Sequence, residues 1–191
     1  MATVKIIIRG SRDRDYANSV KRAEKSDACV TTLIRDGKSI IVVDPGIMDS
    51  QQILIDALKA EDLTVDQVTH VFITHSHLDH YRNVGMFPAT TKVVEYWGEW
   101  TGEHFEKQDE QFSDDIKIIN TPGHSYDSLT FLVSTSDGVV AIAGDVFWKE
   151  NYPEIDPYAS DLDLLKKTRE HVLKNADFII PGHGKMYKVK K

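Results

Sequence analysis

Three histidines and an aspartate crowd into the six residues His75-Ser76-His77-Leu78-Asp79-His80. Three more metal-capable side chains, His124, Asp145 and His183, each sit directly after a glycine: Gly123, Gly144 and Gly182. Imidazole and carboxylate are the neutral-pH donors that suit zinc and other borderline divalent ions, and glycine permits the sharp turns or close approaches that a crowded site needs. A lone histidine is more often structural than ligating. Three within six residues, joined by three glycine-flanked partners, reverse that balance. In an extended segment residues i and i+2 point the same way, so His75 and His77 can converge on one ion. Asp79 and His80 are then free to face a second. The helical zincin pattern, two histidines four apart with glutamate after the first, is absent.

The elements that position these residues follow from hydrophobic period. Strands are expected over Val4–Arg9, Ala28–Arg35, Ser39–Asp44, Val71–Thr74, Lys92–Tyr96, Ile116–Asn120, Ser128–Ser134, Val139–Ala143 and Phe178–Pro181. Tight turns at Asp36-Gly37 and Asp137-Gly138 join neighbouring β-branched runs. Ile53, Leu54, Ala57 and Leu58 recur at helical spacing within Ser50–Ala60, and Asp161–Leu173 forms the second helix. Each candidate ligand falls where a strand pattern stops, the place where loops carry function. Between Tyr96 and Ser113 an acidic, aromatic-dotted stretch shows no period. It is a place to look for substrate contacts, as are Tyr126, Trp148, Tyr152 and Tyr158, although packing explains most aromatics at this density. His70, His104 and His171 read as ordinary surface or boundary residues.

Composition bounds the rest. The 191 residues carry 23 Lys plus Arg against 30 Asp plus Glu, a net charge of −7. That length suits one domain over residues 1–191, and the negative balance disfavours a broad nucleic-acid surface. No run reaches the roughly 18 apolar residues that a membrane helix needs, and the opening residues lack a secretory core, so a cytoplasmic protein is expected. Cys29 is the only cysteine. An intrachain disulfide is therefore impossible, and Cys29, within an apolar stretch, reads as a core residue.

With these motifs in order, His-x-His-x-Asp-His at 75–80, Thr121-Pro122-Gly123-His124, Ala143-Gly144-Asp145 and Pro181-Gly182-His183-Gly184, the sequence resembles the metallo-β-lactamase superfamily of hydrolases from about Ala28 onward. Asn83-Val84-Gly85, Gly144-Asp145-Val146-Phe147 and the segment from Ala176 to Gly184 look most like the small stand-alone metallo-β-lactamase-domain-containing proteins. The resemblance implies an α/β fold, the four-layer αβ/βα sandwich of two mixed β-sheets with helices on the outer faces. It also implies a dinuclear metal site: His75, His77 and His124 around one ion, Asp79, His80 and His183 around the other, and Asp145 bridging. Asp44 stands where relatives keep an outer carboxylate that orients a ligand imidazole; as a sequence feature alone it is equally a turn residue before Pro45. Two departures narrow the subgroup. Cys29 lies far from every motif, unlike the second-site cysteine of common di-zinc β-lactamases, and Trp148 stands where quorum-quenching lactonases place a tyrosine.

The chemistry so implied is hydrolysis by water activated on two divalent ions, zinc first with iron or manganese as alternatives, acting on an ester, thioester, lactone or similar small molecule. Asp79 is the candidate to orient the water or accept its proton. One rival is a metal-dependent phosphodiesterase or nuclease. Only Arg82, Lys149 and Lys185 lie near the motifs to meet phosphates, so nucleic acid is not the favoured partner. The other rival is a mono-iron enzyme like the persulfide dioxygenases. Oligomeric state is not legible in the sequence.

Overall fold

The computed structural model describes residues 1–11 and 28–190. Seven strands, β1 (Thr3–Ile8), β2 (Thr31–Asp36), β3 (Ser39–Val43), β4 (His70–Phe72), β5 (Lys92–Glu95), β6 (Gly98–Thr101) and β7 (His104–Glu106), form one mixed sheet in sequential order. Five more, β8 (Ile116–Asn120), β9 (Leu129–Thr135), β10 (Gly138–Ile142), β11 (Phe178–Ile180) and β12 (Tyr187–Lys188), form a second in the order β12-β11-β10-β9-β8. Helix α1 (Gln52–Lys59) and the single turn α2 (Leu78–Tyr81) belong to the first half, and α3 (Leu162–Asn175) to the second.

The side-chain pattern explains the layering. Ile34, Ile41, Val43, Phe72 and Val94 of the first sheet meet Ile116, Phe131, Val133 and Ile142 of the second in a central core. The alternate residues Leu33, Val42 and Val71 point outward and pack on Leu54 and Leu58 of α1, as period-two strands against a period-3.6 helix require. On the far side Ala141 and Ile179 pack on Leu165 and Val172 of α3. The result is the αβ/βα sandwich implied by the motifs.

Most boundaries expected from the sequence lie within one to three residues of the observed ones. Asp161 caps α3 rather than joining it: its Oδ1 accepts from the Leu164 N–H at 2.9 Å, the role a short carboxylate plays best. The Tyr96–Ser113 stretch holds an unforeseen hairpin, β6–β7, which extends the first sheet. All three β7 residues are exposed, so no buried face imposed an alternating pattern on that edge. Trp100 and Phe105 instead cover one another across the hairpin, with ring centroids 4.7 Å apart.

Candidate metal centre

Two parallel junctions deliver the site. Strand β4 runs parallel to both β3 and β5, and β10 runs parallel to β11. Their carboxyl ends share one edge of the sandwich, where ligands gather in open α/β sheets. Thr74–His80 leaves β4, Asp145 leaves β10 and His183 leaves β11, while the turn after β8 supplies His124. Backbone hydrogen bonds lock the loops together: Gly182 N–H donates to the Gly144 carbonyl at 2.8 Å and the Phe147 carbonyl at 2.9 Å, and Gly46 N–H donates to the His80 carbonyl at 2.9 Å.

At that edge the side chains assemble into two groups of potential donors, His75, His77, His124 and Asp145 in one, and Asp79, His80 and His183 in the other; within each group the facing atoms lie within 4.8 Å of one another. His77 Nδ1 stands 3.0 Å from both His75 Nε2 and His124 Nε2. Asp145 touches both groups. Its Oδ2 is 3.6 Å from His124 Nε2, and its Oδ1 is 3.3 Å from His183 Nε2 and 3.5 Å from His80 Nε2. Asp79 Oδ2 lies 3.5 Å from His183 Nε2 and 3.6 Å from His80 Nε2. All seven residues singled out by the sequence are therefore brought together.

Hydrogen bonds on the outer ring nitrogens set which nitrogen faces inward. His80 Nδ1–H donates to Asp44 Oδ2 at 2.8 Å, and His183 Nδ1–H to the Ala28 carbonyl at 3.1 Å. The Thr74 hydroxyl donates to Asp44 Oδ2 at 2.7 Å, which leaves its lone pairs to accept from His75 Nδ1–H at 3.1 Å. Each of these imidazoles thereby turns an Nε2 lone pair into the centre.

The surroundings tune charge as well as direction. Burial pushes the pKa of His75 well below the ordinary imidazole value, with His80 and His124 as further causes; burial and His124 lower that of His77. Burial also opposes a charge on His80, yet Asp44 and Asp145 outweigh it and raise its pKa. Burial works against the Asp145 carboxylate in the same way, but His183 and His80 hold it well below the usual range. The neutral imidazoles of His75 and His77 and the ionised Asp145 carboxylate thus present lone pairs to the centre. His80 Nε2 and Asp145 Oδ1 are buried without a hydrogen-bond partner among the described residues, an expensive state that a coordinated cation relieves. The donor set and its orphaned atoms fit a divalent metal.

Residues 26–116 match the sequence profile of the metallo-beta-lactamase superfamily. A metallo-beta-lactamase domain-containing protein 1 from Xenopus laevis is 30% identical over 177 residues, which cover 87% of this chain and 75% of the relative.

The chain belongs to the metallo-β-lactamase superfamily.

Solved structures agree on the fold. A metallo-beta-lactamase family protein from Thermus thermophilus superposes with a TM-score of 0.70 at 14% identity, covering 97% of this chain and 75% of that one. A dizinc quorum-quenching lactonase in complex with a product gives 0.66 at 13% identity, covering 96% and 84%. As a metallo-β-lactamase superfamily member, the protein carries a His/Asp cluster of the metal-binding kind on a hydrolase fold.

Two glycines of the motifs have steric reasons to be glycine. A Cβ on Gly182 would collide with Asp145 Oδ1, and Gly144, at φ +48°, would drive a Cβ into the Thr74 hydroxyl. Asp44 proves to be more than a turn residue: it is 3% exposed and carries both Thr74 and His80. Asp156 is the supporting residue that sequence reasoning missed. Its Oδ2 accepts from His124 Nδ1–H at 2.7 Å, from a loop 32 residues away that has no period and no motif. Asp127, also unforeseen, accepts from the Ser76 N–H at 3.1 Å and fixes the histidine segment.

The aromatics divide. Trp148 is buried beside the centre, stacked on Tyr158 at 5.6 Å and edge-on to His124 and His183 at 6.4 Å. Tyr152 packs against Phe147 and beneath Arg169. Tyr126 and Trp97 are exposed. Cys29 is buried in the core, its thiol directed at the Asp44 carbonyl at 3.9 Å, and burial pushes its pKa up. Among the described residues no helix is long and apolar enough to cross a membrane.

Proposed function

We propose that this protein is a dinuclear metal-dependent hydrolase of a small ester, thioester or lactone. In this reading His75, His77 and His124 hold one ion, Asp79, His80 and His183 hold the other, and Asp145 spans both. The observation that carries it is the position of Asp145, with one oxygen facing each histidine group. When bound, divalent ions supply Lewis acidity, lowering the pKa of water and polarising the attacked carbonyl. Zinc is the favoured ion, with iron and manganese compatible with the same nitrogen and oxygen donors.

The chain's own residues do the rest. Asp79 is the most exposed carboxylate of the centre, its side chain 26% accessible against 7% for Asp145. It therefore meets incoming water and can orient it or take its proton. Asp44, Asp156 and the Ala28 carbonyl hold the imidazoles in place, so little reorganisation is needed as charge develops. Trp148 closes one side against bulk water. The lactonase among the structural relatives supports a small substrate, and the net charge of −7 disfavours a polyanionic one.

The test is metal analysis of the purified protein followed by assays with thioester, lactone, β-lactam and phosphodiester probes after loading with Zn, Mn or Fe. Two ions per chain, hydrolysis of a carbonyl substrate, and loss of activity in Asp145→Ala and His124→Ala are expected. Undiminished hydrolysis by metal-stripped protein, preference for phosphodiesters, or a single iron with oxygen consumption would overturn the reading.

A further inference from the structure

Beside the centre lies a cavity of about 190 Å³ whose walls are Ile73, Tyr81, Val84, Val93 and Tyr96. His75 and Ser76 line it as well, so it adjoins the histidine cage rather than opening on a remote face. Two carboxylates, Glu95 and Asp127, also border it, and at first sight they suggest a site for a cation. Their hydrogen bonds point elsewhere. Glu95 accepts from the Trp97 N–H at 3.0 Å and from Trp100 Nε1–H at 2.8 Å. Asp127 accepts from the Ser76 N–H at 3.1 Å and the Ser125 hydroxyl at 2.6 Å. With their oxygens committed to those donors, the cavity offers a guest almost nothing but hydrocarbon and aromatic surface, while the two negative charges repel an anionic one.

Size then selects the guest. An apolar cavity of about 150 Å³ is large enough for benzene, so this one takes a group of about six carbons. The Tyr96 ring, just after β5 and 6.0 Å from Tyr126, is with Tyr81 the bulkiest aromatic wall, so its removal would enlarge the space. We infer that this pocket is the specificity site for an uncharged aliphatic or aryl group of about six carbons attached to the scissile carbonyl. The substrate class becomes a medium-chain acyl ester, thioester or lactone. This inference rests on the hydrolase reading, but the pocket's affinity for apolar groups does not.

Calorimetric titration of the zinc-loaded protein with neutral, unreactive amides from acetamide to octanamide tests the pocket directly. Hydrolysis of the matching p-nitrophenyl esters tests its use in catalysis. Affinity is expected to rise by up to about fourfold per methylene to roughly six carbons and then level off, with kcat/KM following the same trend. Val84→Phe, which fills the pocket, should flatten the series, and Tyr96→Ala, which enlarges it, should move the optimum to longer chains. Opposite responses in the two variants cannot both arise from misfolding. A flat series in the unmodified protein, or Val84→Phe binding hexanamide undiminished, would overturn the proposal. Graded amide binding with no ester hydrolysis would uphold the pocket's apolar selectivity and overturn the hydrolase reading instead.

Discussion

Replacing Asp156 by alanine removes the only hydrogen bond on His124 Nδ1 among the described residues, a contact of 2.7 Å. Both partners are buried, at 2% exposure each. Burial resists ionisation of Asp156, yet the hydrogen bonds from His124 and from the Tyr158 N–H hold its carboxyl below the usual range, so the bond is a charge-assisted one. Truncation strands a buried N–H, which costs about 1–3 kcal/mol. It also frees the ring to turn its Nε2 away from His77 and Asp145. Losing a support of this kind typically weakens metal binding by about 10–100-fold, or about 1.4–2.7 kcal/mol. Asp156→Asn keeps an oxygen near Nδ1 without the charge, so its loss should stay near the lower end of that range. Competition against a colorimetric chelator reads the affinity, and thermal melting of metal-free protein reads the fold. A lower melting temperature with unchanged zinc affinity in Asp156→Ala would refute the reasoning, because Asp156 would then support only its own loop.

Gly182→Ala places a methyl group against Asp145 Oδ1; it should reduce the metal bound per chain relative to the unmodified protein and lower stability by about 1–3 kcal/mol, read by elemental analysis and urea denaturation. Arg169 spans the Val146 carbonyl at 2.8 Å and the Pro153 carbonyl at 3.1 Å, tying the segment after Asp145 to the one that carries Asp156. Arg169→Met should cost about 1–3 kcal/mol in urea unfolding, and Arg169→Lys should recover little, because an ammonium cannot reproduce the planar fork. Burial lowers the pKa of His70, so the unfolded chain takes up this proton at a higher pH than the folded one. Between the folded value and the unfolded value near 6.5 the unfolded state binds more protons, and stability should therefore rise with pH across that window and level off above it. His70→Phe should remove that portion of the slope in denaturation curves measured from pH 5 to 8.

The sequence disclosed the inner residues of the centre and, through the family resemblance, one support, Asp44, but not Asp156 or the Ala28 carbonyl, for a physical reason. Ligands are drawn from a few residue types and fall at strand ends, so His75–His80, His124, Asp145 and His183 are visible as departures from hydrophobic period. A supporting group needs only one acceptor at the right point in space. Asp44 supplies a carboxylate for His80, Asp156 does so for His124, and Ala28 offers His183 nothing but its carbonyl. A backbone carbonyl leaves no mark on residue type, and an aspartate in an irregular loop resembles any other. The β6–β7 hairpin was hidden for the complementary reason: period two appears only where one face is buried, and the outer strand buries neither.

The backbone around Asp44 shows how these supports act as a unit. Asp44 adopts a φ of +49°, a left-handed conformation that costs a non-glycine residue about 1–2 kcal/mol, and it does so immediately before a proline. Its carboxylate repays that strain through three bonds, from the Thr74 N–H at 2.8 Å, the Thr74 hydroxyl at 2.7 Å and His80 Nδ1–H at 2.8 Å. The same hydroxyl faces His75. One strained aspartate and one threonine thus set the ring orientation of a histidine in each donor group, and so align the two groups with each other. Because those hydrogen bonds form as the chain folds, they lessen the side-chain ordering left for metal binding.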